Sequence, residues 1–94
     1  MGKLFKSVDK KFEEIGFKKY YDDNYRVTYK RRNKKFNYTQ VLTIVHKANG
    51  RHIIQSYDDH LFDNKGVGNT CVGLTYYETK LALKKMRQKK WKSY

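Results

Sequence analysis

Between residues 24 and 47 the chain carries seven lysines and arginines and not one Asp or Glu. In the same stretch Tyr25, Val27 and Tyr29 alternate with Arg26, Thr28 and Lys30. A period of two sends successive side chains to opposite faces, so this pattern predicts a half-buried strand with one face for a core and one polar, basic face. Residues 36–46 are long and β-rich, and 52–57 read as a third strand. The chain has no proline, so Asn, Asp and Gly must make its turns. A four-residue loop at 31–34 pairs Tyr29 with Phe36 and Val27 with Tyr38. Asn49-Gly50 is a strong hairpin signal, and a two-residue turn there pairs Ala48 with Arg51, His46 with Ile53 and Leu42 with Tyr57. Both registers put Tyr25, Val27, Tyr29, Phe36, Tyr38, Leu42, Ile44, Ile53 and Tyr57 on the core side, together with Gln40 and Gln55. The open side receives Arg26, Thr28, Lys30, Asn37, Thr39, Val41, Thr43, Val45, Lys47, His52, Ile54 and Ser56. The strands are expected near 25–31, 36–47 and 51–58, with a short one at 18–21 also possible before the turn Asp22-Asp23-Asn24.

Helices flank this meander. Phe5, Val8, Phe12 and Ile15 recur at helical spacing and predict a helix over 3–15. Gly16 follows where a left-handed cap residue belongs, which sets Phe17 against Phe12 in a Schellman ending. Thr75-Tyr76-Tyr77-Glu78 reads as a capping box and starts a helix over 76–90. Its inner stripe is expected from Tyr76, Leu83 and Met86, helped by Thr79 and Ala82, with Tyr77, Leu81 and Trp91 to one side. Residues 91–94 form a basic, frayed tail. The expected architecture is a single α+β domain of order α-β-β-β-α, a three-stranded antiparallel meander with two helices packed on one face.

Ninety-four residues leave room for one small domain. Leu, Ile, Val and Phe supply 21 of them, so nine Tyr and one Trp must thicken a thin core. One cysteine excludes a disulfide framework and a Cys-rich zinc site. No apolar run approaches the roughly 20 residues that span a bilayer, and no secretory leader is visible. A cytoplasmic protein with no membrane partner is expected.

The charge carries most of the functional information. The net charge is +13, and its excess sits in two acid-free segments, 24–47 and 79–94, each with seven bases. Self-repulsion of that size opposes compaction, and an anionic partner relieves it. The densest cluster is Lys30, Arg31, Arg32, Lys34 and Lys35, a hairpin tip suited to phosphates. Lys84, Arg87 and Lys90, joined by Lys80, Lys85, Lys89 and Lys92, make the last helix the second candidate surface. Cations near a helix C-terminus also answer the helix dipole. The expectation is nucleic-acid binding, DNA or RNA, through backbone phosphates with little sequence preference. The alternative is docking on an acidic host protein through a small apolar patch of Val41, Val45 and Ile54 on the open face, or through the basic surfaces. With the tyrosines assigned to the core side, only Trp91 and Tyr94 are expected to be free to stack on bases.

No catalytic constellation emerges, so no enzyme activity, small-molecule substrate, cofactor or metal is expected. Asp58, Asp59, His60 and Asp63 lack the spacing of a calcium loop and supply a single nitrogen ligand, which reads as an acidic turn. Cys71 reads as a small buried residue beside Val72. Gly66-Val67-Gly68 lacks the Lys and the following helix of a phosphate loop.

The helix end Phe12-Glu13-Glu14-Ile15-Gly16-Phe17, the tyrosine-rich meander and the closing run from Gly73 to Glu78 into Leu81-Ala82-Leu83-Lys84-Lys85-Met86 and Trp91 resemble small uncharacterised proteins of phages and prophages of Gram-positive bacteria. That resemblance implies a phage or mobile-element setting and no particular activity. The element order is also similar to double-stranded-RNA-binding domains and HicA-type toxins. The chain lacks the Gly-Pro loop of the first, and nothing around Tyr25 to Tyr29 matches the Gly-Ser-His of the second. Topology alone does not carry function.

Overall fold

A computed structural model describes residues 6–47, 49–59 and 70–91. Along the chain the elements are α1 (Val8–Glu14), β1 (Lys18–Asp22), β2 (Arg26–Asn33), β3 (Tyr38–His46), β4 (His52–Asp58), β5 (Thr70–Cys71) and α2 (Tyr76–Gln88). The strands form one antiparallel sheet in the order β1-β2-β3-β4-β5. The α+β meander therefore has five strands rather than three, with the short strand near 18–21 at one edge and the two-residue β5 at the other. Both helices pack on one face, where Val8, Phe12 and Phe17 meet Val27, Tyr29, Leu42, Ile44, Leu81 and Ala82.

The helix ends follow local chemistry. Ser7 accepts a hydrogen bond from the Lys10 amide at 3.0 Å and fixes the start of α1 at Val8, later than expected. Phe5 lies outside the described residues. At the other end the Phe17 amide donates to the Phe12 carbonyl and the Gly16 amide to that of Glu13, both at 3.0 Å. Gly16 takes a φ of +96°, and the Phe12 and Phe17 rings meet edge to face at 5.7 Å. This is the Schellman ending the sequence predicts, with its apolar contact. Thr75 and Glu78 form the predicted capping box, each accepting from the other's backbone amide.

The β2–β3 loop has the expected four residues but lies at 34–37, not 31–34. Asn33 accepts from the Phe36 amide, and Asn37 supplies a left-handed residue at φ 56°. Tyr29 consequently pairs with Leu42 and Val27 with Ile44. The displacement is even-numbered, so Val27, Tyr29, Leu42 and Ile44 keep their expected face under the helices, and Gln40 stays with them. Phe36 moves into the turn and Tyr25 to the strand's edge, both exposed.

The β3–β4 turn differs by one residue, and one residue is enough to invert a strand. The Lys47 amide donates to the Arg51 carbonyl at 2.8 Å and the Gly50 amide to the Lys47 carbonyl at 2.9 Å. Of Asn49 and Gly50 only Gly50 takes a positive φ, so the connection is the three-residue 48–50 rather than a two-residue turn. His46 then pairs with His52, and Ile44 with Ile54. His52, Ile54 and Ser56 face the helices, while Ile53, Gln55 and Tyr57 face outward, the reverse of the sequence expectation.

Candidate nucleic-acid interface

Strand β2 distributes the densest basic cluster between two environments. Arg31 follows Val27 and Tyr29 onto the helix-covered face. One guanidinium nitrogen lies 2.9 Å from the Glu78 carboxylate and donates to the Ile15 carbonyl at 3.1 Å. The other donates to Gln40 Oε1 at 2.8 Å, and the group lies 4.2 Å from the Phe17 ring centroid. Glu78 is 5 % exposed and Gln40 is 3 % exposed. Arg31 thus ties α1, α2 and the sheet together, so its guanidinium, unlike the neighbouring cations, is already matched by a carboxylate. Gln40 passes the network on, donating to Ser56 Oγ at 2.8 Å.

A second ion cluster absorbs two more of the expected surface cations. Asp9 accepts from Tyr29 Oη at 2.6 Å and Lys19 at 2.9 Å, and pairs with Lys85 at 3.0 Å. Asp22 holds Lys19 at 3.0 Å and also Lys89. Burial pushes the Asp9 carboxyl up, but its hydrogen bonds from Tyr29, Lys19 and Lys85 together outweigh this and hold it at about 2. The same balance, through Lys89 and Lys19, lowers Asp22. Burial first, then its hydrogen bond to Asp9, raises the Tyr29 phenol. The inner face of α2 is accordingly Glu78, Leu81, Ala82, Lys85, Met86 and Lys89. Tyr76, expected inside, is exposed, and Leu81, expected to one side, is buried. Apolar spacing alone misplaces this helix because two of its inward side chains, Glu78 and Lys85, and that of its C-cap Lys89 are charged.

Among the described residues no helix covers the opposite face of the sheet. Arg26, Lys30 and Arg32 alternate onto it from β2. A register shift between Lys19 and Tyr21 in β1 marks a bulge, and Tyr20 and Tyr21 both contribute to this face. Lys30 Nζ lies 3.8 Å from the Tyr20 ring centroid, and the Arg26 guanidinium carbon 4.6 Å from that of Tyr21. With Thr28, Val41, Tyr57 and Asp59 these residues line a cleft of about 300 Å³. Thr28, Val41 and Thr43 are buried beneath, and the two threonine hydroxyls meet at 3.0 Å. Sequence reasoning misses this aromatic lining. Tyr20 and Tyr21 depend on a bulge, and Tyr57 on the turn that inverts β4.

Of the remaining candidates, Lys34 and Lys35 sit exposed in the β2–β3 turn. Lys30, Arg32, Lys34, Lys35, Lys84, Arg87 and Lys90 make no ion pair with a carboxylate among the described residues. Lys84 and Arg87 project from the outer side of α2, across the sheet from Lys30 and Arg32. The two basic segments therefore do not merge into one surface. The patch of Val41, Val45 and Ile54 is not assembled either. Val41 is 3 % exposed, and Ile54 packs against the core behind the sheet. Val45 instead pairs with Ile53, which is partly exposed.

Trp91 is not free to stack on a base: its indole N–H donates to the Met86 carbonyl at 2.9 Å, and its ring stacks on His46 at 5.5 Å. His46 and His52 lie side by side, Nδ1 to Nε2 3.3 Å, and burial and then His46 lower the His52 pKa. Cys71, expected buried, is exposed on β5. Tyr94, His60, Asp63 and the 66–68 glycine segment lie outside the described residues. Among the described residues no three His, Cys, Asp or Glu are grouped to hold a metal, and no helix is long and apolar enough to cross a membrane. No family model matches the chain, and the comparisons with curated proteins and with solved structures gave no match.

Proposed function

We propose that this protein binds nucleic acid, DNA or RNA, mainly through backbone phosphates, with little sequence preference and in a phage or mobile-element setting. The observation that carries this reading is the contrast along β2 and its turn. Arg31 has a buried carboxylate partner, whereas Lys30, Arg32, Lys34 and Lys35 have none among the described residues. Unpaired cations on a chain of net charge +13 gain most from neutralising phosphates and releasing counterions. No catalytic role is assigned to any residue.

Affinity for single-stranded and duplex DNA and RNA over a salt series tests this. Four phosphate contacts give a log–log slope of about −3. The double variant Lys34→Glu/Lys35→Glu flattens it by more than one unit. If no nucleic acid binds at low salt and a host protein co-purifies instead, docking on that protein takes the place of this reading.

A further inference from the structure

We infer that the open face of the sheet takes single-stranded nucleic acid, with one base stacked on Tyr20 and an adjacent base in the cleft beside Tyr57. The inference rests on the phosphate-binding reading and specifies its ligand. Tyr20 is 68 % exposed, too open for its ring to serve chiefly as core. Lys30 Nζ lies over one face of the ring at 3.8 Å from its centroid and steadies it, so a base would stack on the other face. A bulge is a costly way to place two consecutive tyrosines on one uncovered face, and bulges commonly re-aim side chains at working surfaces.

The floor beneath is already closed: Thr28, Val41 and Thr43 are buried although no described helix lies over them. The face is therefore a firm platform of rings, a cleft of about 300 Å³, and cations alongside. That volume is at the small end of ligand sites and suits a flat ring system. Only unpaired bases expose the ring faces that stack on tyrosine; in a duplex those faces are occupied by neighbouring pairs. Asp59 lines the same cleft. Its carboxylate repels a phosphate and accepts from a base N–H, the ring N3–H of thymine or uracil included, which sets the backbone toward Arg32 and the bases toward Tyr57.

Fluorescence anisotropy with labelled oligo-dT and oligo-U, a matched duplex and polyglutamate tests the assignment at fixed salt. The single strands are expected to bind about tenfold more tightly than the duplex. Tyr20→Ala lowers single-strand affinity by about five- to a hundredfold, without changing the salt slope or the melting temperature. Tyr20→Phe keeps the affinity, because the ring does the work. Equal binding of duplex and single strand, or an unaffected Tyr20→Ala, overturns the stacking site while salt-dependent binding leaves the phosphate reading standing. Binding of polyglutamate as tight as that of the oligonucleotides overturns the inference as well. Loss of all nucleic-acid binding in the unsubstituted protein removes both.

Discussion

Arg31 and Lys30 are neighbours on β2 and end on opposite faces of the sheet. Beneath the helices, positive charge is matched: Arg31 by Glu78, Lys85 and Lys19 by Asp9, and Lys89 by Asp22. On the open face Lys30 lies on a tyrosine ring and has no carboxylate partner among the described residues. Three acids, Asp9, Asp22 and Glu78, lie where burial makes an unpaired charge expensive, and each holds a cation there. What remains unmatched collects where water, or a polyanion, can reach it. On β2 a cationic side chain is thus structural or available according to the parity of its strand position, not its place in a basic run.

Arg31→Ala breaks that distinction most severely. It strands the Glu78 carboxylate at 5 % exposure and removes the link between α1, α2 and Gln40. We expect a loss of about 2–3 kcal/mol, a fall in Tm of about 10 °C or more, against less than about 0.5 kcal/mol for Lys30→Ala. Thermal unfolding followed by circular dichroism compares the two, and equal losses would erase the contrast.

Asp9→Asn is expected to cost about 1–2 kcal/mol, allowing for the partial exposure of the site. The folded carboxyl, held at about 2, lies below its ordinary value of 3.8. Its stabilisation is therefore complete above pH 4 and is lost as the pH falls from there toward 2. Urea unfolding across that window is expected to be less acid-sensitive in the variant than in the unsubstituted protein. Gly16→Ala sharpens the same side of the comparison: the residue sits at φ +96°, and an added Cβ meets Arg31 Cδ at 3.1 Å. The expected cost is about 1 kcal/mol, read from the urea midpoint.

The smallest effect belongs to His52. Its folded pKa lies below the ordinary 6.5, so its contribution is whole above pH 6.5 and declines as the pH falls below that. A small fall in stability on acidification below pH 6.5 is expected, and His52→Gln removes it; a stability that rises on acidification would contradict the assignment.

Local chemistry was legible in the sequence wherever the partners are close along the chain. Gly16 with Phe12 and Phe17, and Thr75 with Glu78, are such cases. The helix-covered face of β2 and β3 was legible too, because an error of even parity in the loop leaves every side chain on its own side. The inversion of β4 was not, because Asn-Gly serves both a two-residue turn and a three-residue turn with glycine last. The candidate site was half visible. The basic run announces anion affinity, yet nothing in it distinguishes Arg31 from Arg32 except a register fixed by Asn33 and Asn37. The tyrosine lining was hidden, since a bulge has no signal in the alternation it interrupts.

Methyl-labelled NMR titration with oligo-dT tests the division of the two faces most directly. Val41, Val45 and Ile53 report the open face; Val27, Leu42, Ile44 and Ile54 report the covered one. The account predicts that oligonucleotide shifts the first group in proportion to occupancy and leaves the second nearly unmoved, with Ile53 and Ile54 responding differently although adjacent in the chain. Perturbation centred on Leu81, Leu83 and the covered-face methyls, with Val41, Val45 and Ile53 silent, would contradict it.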